Sequence, residues 1–242
     1  MERIAPRRVA IVLPTFNEIE NLAECISGIQ KYAPNADIYV VDDKSPDGTG
    51  KLADQLASKN PRITVLHRPK KEGLGRAYIS AFKILLKDNY DTILQMDVDG
   101  SHRPKDIPKL LGHANQNHLV IGSRWVKGGS VEQWPLRRLI LSRFANFYVA
   151  TLLRLKIKDS TAGFRAYSTT LLRQIDLDGI SSQGYSFQIE MTFAASKFQA
   201  SIKEVPIAFI ERQQGHSKMS LKVIIEAVLA VPQLALSQRK PK

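Results

Sequence analysis

Asp97 and Asp99 stand in Gln95-Met96-Asp97-Val98-Asp99-Gly100-Ser101-His102, directly after Tyr90-Asp91-Thr92-Ile93-Leu94. That preceding run has the apolar density of a short buried strand, so the two acids emerge where the strand ends and the backbone turns. Convergent carboxylates there bind a hard cation, Mg²⁺ or Mn²⁺, and leave coordination positions for water and for the oxygens of a diphosphate. Such an ion neutralises a departing nucleotide. An isolated Asp-x-Asp is also an ordinary polar strand end, so the choice depends on the elements around it.

The chain has 242 residues, enough for one large α/β domain with a full core. Lys and Arg exceed Asp and Glu by 35 − 23 = 12, and the pI is about 9.8. That sign of charge favours phosphate-bearing partners: nucleotides, anionic headgroups or nucleic acid. Nucleic acid is the weakest of these, because aromatics are sparse and the basic residues form no recognition motif. Cys25 is the single cysteine, so no disulfide framework exists, and its apolar helical setting suits a core thiol. No window is apolar and uncharged for the 18 or so residues of a membrane span. The segment Met1-Glu2-Arg3-Ile4-Ala5-Pro6-Arg7-Arg8 is basic but carries no apolar signal core. The expectation is a cytoplasmic protein.

The first hundred residues alternate strand and helix. Val9-Ala10-Ile11-Val12-Leu13, Ile38-Tyr39-Val40-Val41 and Ile63-Thr64-Val65-Leu66 read as buried parallel strands, followed by helices from Ile19, Lys51 and Ala77. Asn17 or Thr15 is placed to cap the first helix. The strand-end loops carry Asn17-Glu18, Asp42-Asp43 and Asp97-Asp99, which a mostly parallel Rossmann-like sheet flanked by helices gathers on one edge. Asp42 or Asp43 suits a ribose or base, and a helix-capping role fits one of the two. The basic loop His67 to Arg76 offers backbone N–H groups to an anion, although Gly73-Leu74-Gly75 lacks the full dinucleotide glycine pattern.

Leu119 to Arg124 reads as a strand ending in an arginine able to bridge phosphates. From Leu136, apolar residues at Ile140, Phe144, Phe147, Thr151 and Leu155 recur at helical spacing. Residues 133–156 form either a core helix with a solvated basic side or a membrane-facing helix. Arg138 and Ser142 are one turn apart and can meet one anion. The segment Asp159 to Arg165 reads as a loop leading into Ala166-Tyr167, with Asp159 able to support a neighbouring arginine. Glu190, on a helix from Gly184, either faces a sugar or pairs a base, and Pro206 marks Ile202 to Ile207 as an edge strand. Residues 219–238 read as an amphipathic C-terminal helix for an interface or a partner.

In order, Pro14-Thr15-Phe16-Asn17-Glu18, Val41-Asp42-Asp43-Lys44-Ser45-Pro46-Asp47-Gly48-Thr49, Gly73-Leu74-Gly75, Met96 to His102, Gly122-Ser123-Arg124-Trp125, Gly128-Gly129-Ser130, Trp134 to Arg138 and Asp159 to Tyr167 resemble the motif set of family 2 inverting glycosyltransferases. Within it, the resemblance is to dolichyl- or polyprenyl-phosphate mannosyltransferases and extends over nearly the whole chain. It implies the nucleotide-sugar glycosyltransferase fold and a donor pocket of Pro14, Phe16, Glu18, Val41, Asp43 and Val98. It also implies Asp97 and Asp99 at the metal, with Ser101 a third contact where some members have Gln. Arg124 joins the catalytic set, Arg138 and Ser142 hold the acceptor phosphate, and Arg212 and Lys218 grip the donor diphosphate from a closing loop. Departures are small: Phe16 replaces a common Tyr, Val98 a frequent Ala, and Lys44 a frequent Asn.

The activity implied is transfer of mannose from GDP-mannose to a polyprenyl or dolichyl phosphate, with inversion and with Mg²⁺ or Mn²⁺. A phosphate monoester is already ionised near neutral pH, so no strong general base is required. Many members carry membrane helices beyond this point, so the resemblance implies a peripheral enzyme on the cytoplasmic face of a membrane, or one that meets its lipid through a separate membrane-anchoring protein. Rival readings are the same fold using UDP-glucose or another donor, and a non-catalytic nucleotide- or lipid-binding module.

Overall fold

A computed structural model describes residues 7–211 and 231–236. The aliphatic runs of the first half become strands because they are too apolar to leave either face in water. Val9–Thr15 (β1), Asp37–Asp42 (β2), Ile63–His67 (β3) and Thr92–Gln95 (β4) alternate with helices Leu22–Tyr32 (α1), Thr49–Lys59 (α2) and Leu74–Leu85 (α3). A single 3-10 turn leads into Ile107–Ala114 (α4), then come Leu119–Ser123 (β5), Ser130–Glu132 (β6), Leu136–Leu152 (α5), Arg165–Ser168 (β7), Thr169–Gln174 (α6), Gly184–Lys197 (α7), Ile202–Pro206 (β8) and Ala208–Ile210 (β9).

Seven strands form one sheet in the order β3-β2-β1-β4-β7-β5-β8, and β6 pairs with β9 in a small ribbon. Only β7 runs antiparallel to its neighbours, β4 and β5; the other pairings are parallel. The sheet is therefore mostly parallel, as the alternation predicts, and β8 with its Pro206 is an edge strand. One face packs Tyr78 and Phe82 of α3, Val149 of α5 and Phe187 and Phe193 of α7. The other packs Leu22, Cys25 and Ile29 of α1, Ala53 of α2 and Leu110 of α4. Each fully buried large apolar side chain is worth about 1.5–3 kcal/mol, so the two-sided core fixes the positions of the loops at the strands' carboxyl ends.

Three local expectations change. Helix α1 starts at Leu22, after a turn in which the N–H groups of Asn21 and Leu22 both donate to Glu18 O. Neither Thr15 nor Asn17 caps it: the Thr15 hydroxyl turns to Asp42, and Asn17 has a positive φ of 59°. Arg165–Ser168 is a strand, where the sequence suggests the tail of a loop. Helix α5 ends at Leu152, leaving Leu155 to be buried beyond it.

Candidate active site

A cleft of about 320 Å³ opens along the carboxyl edge of β1, β2, β4 and β5. Pro14, Phe16, Glu18, Asp43, Asp97, Val98, Asp99, Arg124 and Arg138 all line it, so most of the residues singled out in the sequence meet in one place. At one end, Asp43 N donates to Thr15 O at 3.0 Å and ties the ends of β1 and β2 together. Neither acid caps a helix: Asp42 closes the turn after β2, accepting from Ser45 N (3.1 Å), Ser45 Oγ (2.6 Å) and Thr15 Oγ1 (3.1 Å), while α2 starts after Gly48 with no side-chain cap. Asp43 is left on the cleft wall, where it pairs with the nearly buried Arg68, which also holds Glu72 at 2.8 Å. Burial raises the Asp43 carboxyl above the ordinary aspartate value, and Arg68 opposes only part of that rise. Phe16 presents its ring to the same end, with Lys71 Nζ 3.7 Å from the ring centroid.

In the middle, Asp97 and Asp99 follow β4. Tyr78 of α3 donates to Asp97 Oδ1 at 3.3 Å, and the His102 ring accepts from Asp97 N through Nδ1 at 3.0 Å. That bond makes Nδ1 an acceptor, and the His102 ring, stacked on Phe164, shapes the loop. Burial, with Asp97 alongside, holds the Tyr78 phenol well above the ordinary tyrosine value, so it stays a donor. Asp99 Oδ1 accepts from Ser101 N (3.1 Å) and Ser101 Oγ (2.6 Å). Ser101, implied by the resemblance as a metal contact, is thus engaged on the neighbouring acid and does not line the cleft. Among the described residues no group of three or more His, Cys, Asp or Glu gathers to hold a metal ion. Two carboxylates suit Mg²⁺ or Mn²⁺ all the same, since such ions are usually held by one or two carboxylates and completed by substrate phosphates and water.

Toward the other end, Arg124 is buried and doubly bonded to Asp159, with Nε to Oδ2 at 2.8 Å and one terminal nitrogen to Oδ1 at 2.6 Å. Burial would lower its pKa, and Asp159 more than offsets this, leaving it above the ordinary arginine value. The expected support from Asp159 is present. It makes Arg124 a fixed cation of the cleft wall. Trp134 stands between the two arginines, with Arg124 Cζ 5.5 Å and Arg138 Cζ 4.0 Å from its ring, and Phe209 meets its edge at 5.5 Å. Arg138 binds Glu211 through both carboxylate oxygens, 2.5 Å to Oε1. Ser142 does not line the cleft; its carbonyl accepts from Asn146 Nδ2 at 2.9 Å.

Other residues lie elsewhere. Val41, expected in the donor pocket, is fully buried in the core, with its carbonyl 3.5 Å from Thr15 Oγ1. Glu190 is not among the residues lining the cleft and pairs no base among the described residues; its Oε2 accepts from Ser181 N (3.2 Å) and Ser182 N (2.9 Å). Arg212, Lys218 and most of residues 219–238 lie outside the described residues, of which 231–236 are helical. Sequence reasoning missed Tyr78, Trp134, Phe209 and Glu211. Trp134 lay within a quoted motif and Glu211 stands directly before Arg212 of the expected closing loop, the signals available. It also missed Arg165, a fully buried guanidinium that ties Ser160 O and Ala162 O of the cleft loop to Gln188 O and Thr192 Oγ1 of α7.

This arrangement of strand-end acids and basic side chains around one cleft, on a mostly parallel sheet, is that of a glycosyltransferase. The chain belongs to glycosyltransferase family 2: the profile described as Glycosyl transferase family 2 matches residues 10–176. It is a glycosyltransferase. Its relatives include the undecaprenyl-phosphate mannosyltransferase of Micrococcus luteus, 46% identical over 96% of this chain and 96% of that protein. The polyprenol monophosphomannose synthase of Mycolicibacterium smegmatis is also 46% identical, over 96% of this chain and 89% of that one. The fold is shared with glucosyl-3-phosphoglycerate synthase of Mycobacterium tuberculosis, solved with Mn²⁺ and UDP: TM-score 0.70 and 18% identity, covering 98% of this chain and 81% of that chain.

Proposed function

We propose that this protein transfers mannose from GDP-mannose to a polyprenyl or dolichyl phosphate, releasing GDP, with inversion at the anomeric carbon. The observation that carries this reading is the single cleft joining Phe16 and Asp43 at one end to Arg124 and Arg138 at the other, with Asp97 and Asp99 between them. The names of the two relatives that share 46% of the sequence support the sugar and the acceptor class.

Asp43 suits guanine, whose edge offers adjacent N–H donors to one carboxylate, and the Phe16 ring offers a stacking face. Asp97 and Asp99 would hold Mg²⁺ or Mn²⁺, which when bound supplies charge neutralisation for the leaving diphosphate. Arg124, fixed by Asp159, and Arg138, set against Trp134, bring positive charge to the end where the acceptor phosphate would enter, once that anion displaces Glu211 from Arg138. An ionised acceptor phosphate attacks from the face opposite the leaving group, and the arginines' part is to hold it in line.

The acceptor lipid gives meaning to α5, which runs from the Arg138 side of the cleft. Leu136, Ile140, Phe144 and Phe147 form a stripe along it and are 58–71% exposed. Exposed Arg137 and Arg143 flank it, an arrangement suited to an anionic membrane surface. No helix among the described residues is long and apolar enough to cross a membrane. Purified protein incubated with Mg²⁺ or Mn²⁺, radiolabelled GDP-mannose and a polyprenyl phosphate should form the mannosyl lipid. Equal or greater transfer from UDP-glucose, or none from either donor, would overturn the assignment.

A further inference from the structure

On α7, Gly184, Tyr185 and Gln188 line the cleft, at the i, i+1 and i+4 spacing of one helical face. Glu190 stands about 200° round the helix from Gln188 at 3.6 residues per turn, and its bonds to Ser181 N and Ser182 N pin the loop that leads into the helix. Gln188 is 2% exposed, and neither its Nε2 nor its Oε1 has a hydrogen-bond partner among the described residues. Its carbonyl, by contrast, is fully engaged by Arg165 (2.9 Å) and Thr192 (2.8 Å). A buried carboxamide with both ends unpaired is costly to the folded protein, and native structures rarely tolerate one that a ligand or water does not complete.

The position of this carboxamide narrows the ligand. Phe187, its immediate neighbour, stacks on Tyr78 with ring centroids 6.0 Å apart and planes 5° from parallel, and Tyr78 donates to Asp97 Oδ1 at 3.3 Å. Gln188 lines the same cleft as Asp97, the acid proposed to hold the metal at the diphosphate, so it borders the space open to the group that the diphosphate carries. The walls are stiff. A Cβ on Gly75 would stand 2.8 Å from Ser182 O and 2.9 Å from the Phe187 ring, and one on Gly73 would stand 2.2 Å from Gln183 Oε1, so α3 and the start of α7 are pressed together. The first turn of α7 has no side-chain cap, and Gln183, Gly184 and Tyr185 at its start line the cleft.

We propose that Gln188, at the uncapped start of α7, reads the hydroxyls of the transferred sugar, its amide donating to one hydroxyl oxygen and accepting from a neighbouring one. This rests on the nucleotide-sugar reading above. One donor and one acceptor on a single planar group match a pair of vicinal hydroxyls and discriminate between epimers, because a mispositioned hydroxyl leaves a buried amide atom unpaired.

The test compares wild type with Gln188→Met, which keeps length and volume but removes both polar atoms, by calorimetric titration with GDP and with GDP-mannose in Mn²⁺, and by thermal unfolding without ligand. The expected result is a tenfold or greater loss of GDP-mannose affinity, GDP affinity within twofold of wild type, and an unchanged or higher Tm. Gln188→Asn, with the amide withdrawn by one methylene, should relax discrimination between GDP-mannose and GDP-glucose. Equal loss for GDP and GDP-mannose, or a lowered Tm with no selective loss, would make the carboxamide structural and overturn the proposal. Wild-type binding of GDP-mannose with unaltered binding by Gln188→Met would remove this subsite alone. Failure of wild type to bind any nucleotide sugar would remove the donor reading and the subsite with it.

Discussion

Asp159 receives three hydrogen bonds from Arg124, 35 residues earlier: from the backbone N at 2.9 Å, from Nε at 2.8 Å and from a terminal guanidinium nitrogen at 2.6 Å. Both side chains are almost wholly buried, at 4% and 0% exposure, so this is an interior ion pair that holds the end of β5 to the loop before β7. Its partners do not contribute separately. Removing one acid leaves a buried, uncompensated guanidinium, which costs about 3–5 kcal/mol, while replacing both with apolar residues of similar volume is often neutral.

Asp159→Leu should therefore lower unfolding free energy by about 3–5 kcal/mol. The double variant Arg124→Met with Asp159→Leu should recover much of that loss and still fail to transfer sugar. Urea titrations of the two single variants and the double, read as a cycle, check this. Stability losses that simply add would show that the two side chains do not act as a unit.

Tyr78 links α3 to the acid loop through one phenolic hydrogen, and its ring is held independently by stacking on Phe82 and Phe187. Tyr78→Phe keeps those stacks and removes only the donor to Asp97. The expected outcome is a Tm within a few degrees of wild type, and a half-saturating Mn²⁺ concentration for transfer raised several-fold, because Asp97 is then free to rotate. A titration of activity against Mn²⁺ measures it, and an unmoved midpoint would count against Tyr78 as the group that orients Asp97.

Much of this was legible because the chemistry lies at strand ends and the strands announce themselves. Ala10 to Leu13 and Val40-Val41 are fully buried in the structure and read as buried runs in the sequence. Strand β7 was not legible, because it is four residues long and begins with Arg165, a charge that no strand pattern expects in a core. Only the surrounding carbonyls and hydroxyls, drawn from Ser160, Ala162, Tyr167, Gln188 and Thr192, make that position tolerable. Trp134 and Tyr78 were hidden for a different reason: an aromatic in an apolar stretch reads as core, and what gives each its role is a cation or a carboxylate brought close by the fold. Glu190 drew attention as an acid on a helix, whereas on that helix the carboxamide lining the cleft with both ends unpaired among the described residues is Gln188, and pairing is not a property of sequence.

Asp43 gives donor binding a pH signature. Its carboxyl is raised above the ordinary value of 3.8, chiefly by burial, with Arg68 pulling the other way. A raised folded pKa means that its stabilising contribution is complete below the unfolded value and is lost as pH rises through the folded one, so at neutral pH the ionised form is kept at a cost in stability. If this carboxylate reads the base, GDP affinity should fall on acidification at a higher pH than an ordinary aspartate would give. Arg68→Leu should move that limb higher still. Calorimetric Kd values across the acid range test both statements, and coincident limbs would separate Arg68 from Asp43.

Cys25 has its thiol pushed up to about 12, mainly by burial and then by the carboxylates of Asp99 and Asp97. In the folded protein it stays protonated between its ordinary value of 9.0 and that level, whereas in the unfolded chain it ionises, so it contributes a loss of stability as pH climbs through this window. Iodoacetamide at pH 8 should therefore leave native protein unmodified for hours and label it within minutes in urea. Rapid labelling of native protein would show that the thiol is reachable and ionised.

The face of α5 separates the chemistry of transfer from access to the lipid. Phe144 and Phe147 are 65% and 68% exposed, while Val149, from the opposite side of the same helix, is 3% exposed in the core. Substituting both exposed rings with Glu should leave Tm nearly unchanged, since surface changes of this kind usually stay within about ±0.5 kcal/mol. The same change should weaken association with anionic vesicles, because it removes apolar area and adds charge that such lipids repel. Transfer to a long polyprenyl phosphate embedded in vesicles is then expected to drop at least tenfold. Transfer to a short, water-soluble prenyl phosphate should stay within twofold, because Arg124, Arg138 and the acid pair are untouched. Equal losses on both acceptors would mean that the stripe serves the active site itself, and equal retention would mean that the lipid reaches the cleft without it.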